Sequence, residues 1–499
     1  MSEPSEPQAG LARRFLLATV YLSGGTWLTY VLNFAMTIAI ARLLGPKDLG
    51  IYAFVAAVNE FLNLVNAFSL GHALLQARTE SDRLNDTAYS LAGALGAISL
   101  LAALLVAPVL AIYRSSQAAW FIVILGLARI PFLLSGIPIA LMERALQYRR
   151  LAVLSVLTGN VPNLCALGLA WLGFGPWSLV ARDALLALLT FALSLWWWPT
   201  RFRFRIGREE ARQILRFSNP MFVSRSLDIV NQRLDRLSMG SFFGDTVLGL
   251  YHQARYLSEI GSLAVRPIQQ LCYNLYCRLQ DQEDRLGRAS RLVNYFLMRA
   301  SYAAAALFIA FPDETIRVLL GPAWSGSSPF LRVLGVYAAL LPLLDNLQWL
   351  LYARARMREN IHLRLIQMLV LLPGIAVSAA IGRPLGIALT LVASTAVGCA
   401  VALRQTRSLL RGALLRILAV PTAVLVASVA VCIGLRSSGL LDPLPAILLP
   451  ALPPLVFAAL LLGVERSALL REVGYLRDQF ARGAAFTPDS AEPDSAGAP

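Results

Sequence analysis

The chain is poor in lysine, in charge and in paired cysteines. Of its 44 basic residues only Lys47 is lysine. It stands in Gly45-Pro46-Lys47-Asp48, behind no G-x-x-x-x-G loop, which excludes ATP hydrolysis of the P-loop kind. Charged residues make up 15% of the 499 positions, against roughly 25% in an ordinary soluble protein. A soluble chain of this length could not clothe its domains with so little charge. The five cysteines, Cys165, Cys272, Cys277, Cys399 and Cys432, form no C-x-x-C pair and fall mostly in apolar runs. They read as small apolar side chains, not as a disulfide framework or a zinc site. Three scattered histidines, His72, His252 and His362, have no metal-ligand spacing, and no G-x-S-x-G nucleophile motif occurs. Neither a cofactor nor a bound metal is expected, and the chain does not read as an enzyme.

What it has is apolar length. Hydrophobic residues make up 57% and the mean hydropathy is +0.62. The apolar runs predict fourteen membrane-spanning helices, near 15–42, 49–76, 88–112, 118–142, 151–172, 177–198, 217–239, 246–276, 292–311, 329–352, 362–381, 386–403, 417–435 and 445–464. Gly and Pro mark several joins, as at Gly45-Pro46, Gly321-Pro322 and Arg383-Pro384. The first apolar run is too long for the core of a cleavable signal peptide.

The net charge of +15 is distributed unevenly. Alternate connections hold twenty-nine arginines, from Arg13 and Arg14 through Arg201–Arg216 to Arg466–Arg482. The opposite connections hold six basic residues: Arg42, Lys47, Arg114, Arg317, Arg383 and Arg436. Arginine-rich loops stay in the cytoplasm, so both termini are expected there. The basicity is a topology signal and needs no nucleic-acid partner. Residues 465–482 read as a cytoplasmic interfacial helix, and the tail 483–499 as disordered.

Two stretches 199 residues apart match. Residues 42–52 read RLLGPKDLGIY and residues 241–251 read SFFGDTVLGLY. Gly45, Leu49, Gly50 and Tyr52 meet Gly244, Leu248, Gly249 and Tyr251. At the same offset Asn33 meets Gln232 and Glu60 meets Glu259, and the basic turns 144–150 and 354–358 correspond. This predicts two six-helix lobes in parallel repeat, residues 1–212 and 213–403, around a central cavity, followed by two extra helices over 404–464. The fold class is an all-α membrane protein.

These same residues carry a resemblance. RLLGPKDLGIY, ERALQYRR, FGPWSLVARD, FSNPMFVSRSLDIVNQRLDRLSMGSFFG, RLQDQEDRL and VLLGPAWSGSSPFLRVL, in this order and topological placement, resemble the polysaccharide-biosynthesis transporters. That is the oligosaccharide-lipid flippase (Wzx-type) branch of the multidrug/oligosaccharidyl-lipid/polysaccharide superfamily, and the likeness covers about residues 12–412. It implies a V-shaped pair of bundles in the bacterial inner membrane. It also implies movement of undecaprenyl-pyrophosphate-linked glycans for exopolysaccharide or lipopolysaccharide from the cytoplasmic to the periplasmic leaflet. Polysaccharide polymerase and export machinery are the candidate partners. The competing readings are a drug/cation antiporter of the same superfamily and a multi-span glycan polymerase.

Charge inside the spans locates the candidate site. On the seventh span Arg225, Asp228, Gln232 and Arg236 fall within about 80° of one another. On the eighth, His252, Arg255, Glu259 and Arg266 fall within about 60°. Each charge at the bilayer centre costs roughly 2.5–3.5 kcal/mol, so the stripes must face water or partners. The alternatives are surface amphipathic helices, or internal pairing such as Arg225 with Asp228. Bases exceed acids, and Arg129 adds to them, so an electropositive cavity is expected. Arg225, Arg236, Arg255, Arg266, Arg129, Gln232 and His252 are the candidate contacts to an anionic headgroup. Glu60, Glu259, Asp228 and Asp345 are candidates for ion coupling or for holding the arginines in place. Asn33, Asn59, Asn63, Asn66, Asn160 and Asn163 are candidates for sugar hydroxyls or for interhelical bonds.

Overall fold

The computed structural model describes residues 8–64, 71, 74, 81–200, 203, 205–410, 415–441 and 445–481. Within its helices the side chains of 8–28, 213, 215–221, 223–225, 261–271, 274, 415–416, 473 and 475–481 lie outside the description. Every regular element among the described residues is helical. In chain order they are α1 (Gln8–Leu62), α2 (Asp82–Tyr113), α3 (Ser116–Arg144), α4 (Tyr148–Trp171), α5 (Trp177–Trp197), α6 (Arg208–Phe243) and α7 (Asp245–Arg278). After these come α8 (Glu283–Ala310), the short α9 (Pro312–Leu319), α10 (Ser328–Ala353), α11 (Met357–Ile381), α12 (Pro384–Gln405), α13 (Val420–Ser437) and α14 (Leu452–Ala481).

Among the described residues, eleven segments are long and apolar enough to cross a membrane by themselves. The difference from fourteen has a physical cause. α1 continues through the expected first turn, breaking direction only at Gly45 (φ 78°, ψ 168°), so two expected spans form one kinked element. α6 and α7 are long enough, at 36 and 34 residues, but carry too much charge to pass as apolar. The helix α14 also runs unbroken across the boundary expected at 464/465.

In the first lobe α2 packs on α3, α3 and α4 on α5, and α1 on α4. In the second, α10 packs on α7, α8 and α12, and α11 on α12 and α6. α13 and α14 pack on each other and on α8. The lobes meet where α1 lies along α6 and α7. One apolar cluster crosses this junction, from Ile40 and Tyr52 through Leu248 and Tyr251 to Leu334 and Leu391.

The repeat is visible in the backbone. Gly244 (φ 86°, ψ 176°) takes the conformation of its counterpart Gly45. The corresponding basic turns each hold one non-glycine residue at φ 54°, Leu146 and Ala355. Each turn closes with the same long bond, Gln147 N–H to Met142 O and Arg356 N–H to Leu351 O, both 3.0 Å. This is the six-to-one closure that satisfies helix-end carbonyls.

Two sets of turns separate to the two ends of the bundle. At one end Arg150 reaches Trp197 O (2.8 Å), Arg354 reaches Glu283 (2.8 Å) and Arg291 reaches Leu409 O (2.8 Å); these are the arginine-rich connections. At the other, Arg42 reaches α9, Arg114 reaches the α6–α7 joint, and Ser327 Oγ donates to Leu250 O (2.9 Å).

Candidate functional site

Among the described side chains, the charges midway along α6 and α7 are largely taken up by one another or by neighbouring helices. Arg255, on α7, is 2% exposed. It donates through Nη1 to the Asp235 carboxylate on α6, through Nε to Glu259 Oε1 at 3.0 Å and through Nη2 to Tyr337 Oη on α10 at 3.2 Å. Its guanidinium lies 5.1 Å from the centre of the Tyr337 ring. Tyr251 donates its hydroxyl to the same Asp235 carboxylate. Arg236 Nη2 lies 3.7 Å from Glu259 Oε1. Asp228 Oδ1 pairs with Arg364 Nε of α11 at 2.6 Å, and Tyr352 Oη approaches its other oxygen at 3.4 Å.

The cavity lies beside this network, in the first lobe. It encloses about 430 Å³ between α1, α3 and α5, with Ile229 of α6 on its wall. Glu60 lines it and reaches across the lobe boundary to Arg233 Nε on α6, at 2.5 Å. Arg182 and Asp183 of α5 pair at 2.8 Å. Tyr52 Oη accepts from Arg182 Nη2 and donates to Asp183 Oδ2, both at 2.6 Å. Arg129 also lines the cavity. Its guanidinium sits 4.9 Å from the Phe132 ring centre, and its Nε has no hydrogen-bond partner. Asn59 Oδ1, on the α1 side of the cavity, likewise has none, while Asn63 Oδ1 accepts from Ser99 at 2.8 Å. The cavity thus offers an unsatisfied cationic donor beside an unsatisfied acceptor. That suits an anionic group on a hydroxyl-bearing molecule.

The residues singled out in the sequence divide accordingly. Arg129 and Glu60 line the cavity, and Arg236, Arg255 and Glu259 form the network beside it. Arg255 is shielded from solvent and bonded through all three of its nitrogens, the geometry of a strut. Asp228 turns to Arg364. Gln232 is exposed, His252 is half-buried with an unpartnered Nδ1, and Asp345 is half-buried on α10. Asn33 and Asn163 bond each other at 2.9 Å, and Asn160 bonds Val156 O at 2.8 Å. The side chains of Arg225 and Arg266, and residue Asn66, lie outside the described residues.

Sequence reasoning missed Arg364, which it counted among the loop arginines although it is buried in the second turn of α11. It also missed the hydroxyl of Tyr52. A signal for the tyrosine was present, because Tyr52 and Tyr251 are repeat counterparts. Each anchors an Arg–Asp pair in its own lobe, Arg182–Asp183 and Arg255–Asp235.

Comparison with known proteins follows this geometry. The pattern of the family described as "polysaccharide biosynthesis protein" matches residues 39–329. The succinoglycan biosynthesis transport protein ExoT of Rhizobium meliloti (strain 1021) is 26% identical over 330 residues, 63% of this chain. The match spans 64% of that relative's length, a little less than two thirds. The lipopolysaccharide biosynthesis protein WzxC of Escherichia coli (strain K12) is 21% identical over 76% of this chain and 77% of its own. Among solved structures, the lipid II flippase MurJ in an inward closed conformation superposes with a TM-score of 0.67 at 12% identity, over 90% of this chain and all of the other. A multidrug resistance MATE family transporter in an inward-facing conformation gives 0.57 at 15% identity, over 77% of this chain and 96% of the other. At these identities the structural likeness establishes the two-lobe fold.

Proposed function

The chain belongs to the polysaccharide biosynthesis protein family, and on that premise we propose that it is a flippase for undecaprenyl-pyrophosphate-linked oligosaccharide. Its cargo is a repeat unit for lipopolysaccharide or exopolysaccharide, carried from the cytoplasmic to the periplasmic leaflet of the inner membrane by alternating access. The moving bodies are residues 1–212 and 213–403, with 404–464 riding on the second. Both termini face the cytoplasm, and the flipped units pass to polymerase and export machinery. The names of the relatives, succinoglycan transport and lipopolysaccharide biosynthesis, support this class of cargo.

The observation that carries the proposal is Arg129. A guanidinium holds its charge at every physiological pH. An unpaired one inside a bundle of membrane helices costs several kcal/mol unless water or an anion compensates it. A pyrophosphate diester supplies the anion, and it matches the guanidinium fork bidentately. The sugar hydroxyls then meet Asn59 in the same cavity. The lining carboxylates Glu60 and Asp183 are each paired with an arginine, whereas Arg129 has no ion pair among the described residues, and that balance disfavours a cationic drug and the antiporter reading.

Arg129 is therefore assigned the first contact with the headgroup. Arg225, Arg266, Arg236, Gln232 and His252 are the proposed flanking groups from the second lobe, and Arg255 is reassigned to support.

The test is genetic and chemical together. Deleting the gene is expected to accumulate an undecaprenyl-pyrophosphate oligosaccharide on the cytoplasmic side. A copy carrying Arg129→Gln is expected to insert normally and leave that accumulation unrelieved. An unchanged pool of polyprenyl-linked glycans would overturn the cargo assignment, and full relief by the variant would overturn the role of Arg129.

A further inference from the structure

Three of the six basic residues on the arginine-poor side, Arg42, Arg114 and Arg436, run against the charge rule that orients the chain yet each has a partner in the structure. Two of them, Arg42 and Arg114, reach from the first lobe into the second. Arg42, on α1, donates through Nε to Leu319 O at 2.7 Å and through Nη2 to Val318 O. Those carbonyls end α9. Arg114, at the end of α2, donates to Gly240 O near the end of α6 and pairs with Asp245 Oδ1 at 3.3 Å. Its guanidinium lies 4.1 Å from the Phe54 ring centre. The same device is used twice, a cation set against carbonyls in the last turn of a helix, where the helix dipole favours positive charge.

Between the two arginines the repeat closes on itself. A Cβ on Gly50 would stand 1.8 Å from Asp245 O, and a Cβ on Gly249 would stand 1.8 Å from Pro46 O. Gly50 and Gly249 are repeat counterparts, and so are Pro46 and Asp245. The pseudo-twofold axis therefore passes between two backbones that touch. Only glycine permits that approach, because the opposing atoms are main chain and cannot swing aside. None of these residues lines the cavity.

We propose that Arg42 and Arg114, together with the Gly50–Gly249 seam, form an outer clasp that holds the lobes together at the end away from the arginine-rich turns and must release to open that end. The proposal rests on the alternating-access reading above. The seam sets the approach distance, and the arginines hold it by charge-assisted bonds made only while the lobes touch. Substituting either arginine removes attraction without adding atoms. Substituting either glycine adds an atom the closed state has no room for. Both changes shift the population toward the state open at this end.

The test uses the full-length protein with its five native cysteines replaced by alanine and one cysteine introduced at Ala128, on the cavity wall. Intact cells are exposed to a small membrane-impermeant thiol reagent from the periplasmic side. With the clasp intact, labelling is expected to be slow. Arg42→Gln combined with Arg114→Gln is expected to speed it by roughly tenfold, the factor that losing a net hydrogen bond or two produces. Gly50→Ala and Gly249→Ala are expected to do the same. Should a glycine variant fail to fold, as judged by size-exclusion profile, the double arginine variant decides alone, since it adds no bulk. Labelling unchanged in a folded double arginine variant would overturn the clasp. The readout needs no cargo. Faster labelling without accumulation of lipid-linked glycan in the deletion strain would leave the clasp standing and remove the proposed cargo. Accumulation with unchanged labelling would do the reverse.

Discussion

Replacing Arg255 by alanine separates a supporting arginine from a binding one. Arg255 is 2% exposed, and Asp235, which takes its Nη1 bond, is fully buried. Removing the guanidinium leaves that carboxylate without its cation, and Tyr251 as its remaining donor. Breaking a buried ion pair from one side costs about 3–5 kcal/mol, most of it the uncompensated charge left behind. In a cooperative unit of 150–250 residues, roughly the size of one lobe, each kcal/mol moves Tm by about 2–4 °C. Arg255→Ala is therefore expected to lower Tm by on the order of 10 °C, measured by fluorescence-detected unfolding in detergent. Arg255→Met with Asp235→Leu removes both charges. It is expected to recover most of that loss, because an apolar pair of similar volume is often as stable as the ions it replaces. Glu259 keeps Arg236 in either variant. An Arg255→Ala protein with unchanged Tm, normal abundance and no export would refute the reasoning and return Arg255 to the set that touches cargo.

Two further outcomes follow from the other ion pairs. Glu60 and Arg233 are 41% and 25% exposed, where an ion pair contributes only about 0–1 kcal/mol. Glu60→Gln is expected to leave Tm nearly unchanged and to slow export while preserving any dependence on an imposed proton or sodium gradient in vesicles; loss of that dependence would make Glu60 the coupling group. Arg299 and Glu465 join α8 to α14 and are 5% and 8% exposed, with Nε–Oε2 at 2.8 Å and the Tyr295 hydroxyl 3.2 Å from the same oxygen. Arg299→Ala is expected to cost about 3–5 kcal/mol, seen as a lower Tm, with Glu465→Ala producing a similar drop and the two losses failing to add.

The architecture was legible because it is written in periodic, local signals. Long apolar runs announce spans, and Gly45 and Gly244 announce equivalent breaks. The basic turns 144–150 and 354–358 announce equivalent corners, which the structure bears out in the matching φ of Leu146 and Ala355. The pairing of interior charges was not legible, because it depends on which helices become neighbours. Asp228 pairs with Arg364, more than a hundred residues along, a partner that no spacing on its own helix points to. A stripe of charge on one helix shows that partners or water are required, without naming them. Summing the charges of α6 and α7 therefore called for an electropositive cavity, whereas the lining of the cavity holds two arginines, Arg129 and Arg182, and two carboxylates, Glu60 and Asp183. Among the described residues Arg129 lines it with an unpartnered Nε, on a helix whose sequence is otherwise apolar over most of its length.

The basic residues that break the orientation rule are the more informative ones. A cation on the arginine-poor side weakens the bias that orients the chain, so it persists where it gains a compensating contact. Arg42 and Arg114 gain helix-end carbonyls of the opposite lobe, and Arg436 gains Glu314 at 2.7 Å, tying α13 to α9. All three contacts lie at the end where Gly50 meets Asp245 and Gly249 meets Pro46. At the other end the arginines are plentiful, and two described there, Arg150 with Trp197 O and Arg354 with Glu283, make their bonds inside their own lobe. The two ends are thus held by different physics. At one, specific bonds join the two lobes, and at the other the connections carry a dense fringe of arginines. If the lobes alternate as proposed, a molecule bonded across its lobes at the arginine-poor end is expected to open first at the other, on the arginine-rich side, where an anionic lipid headgroup is attracted.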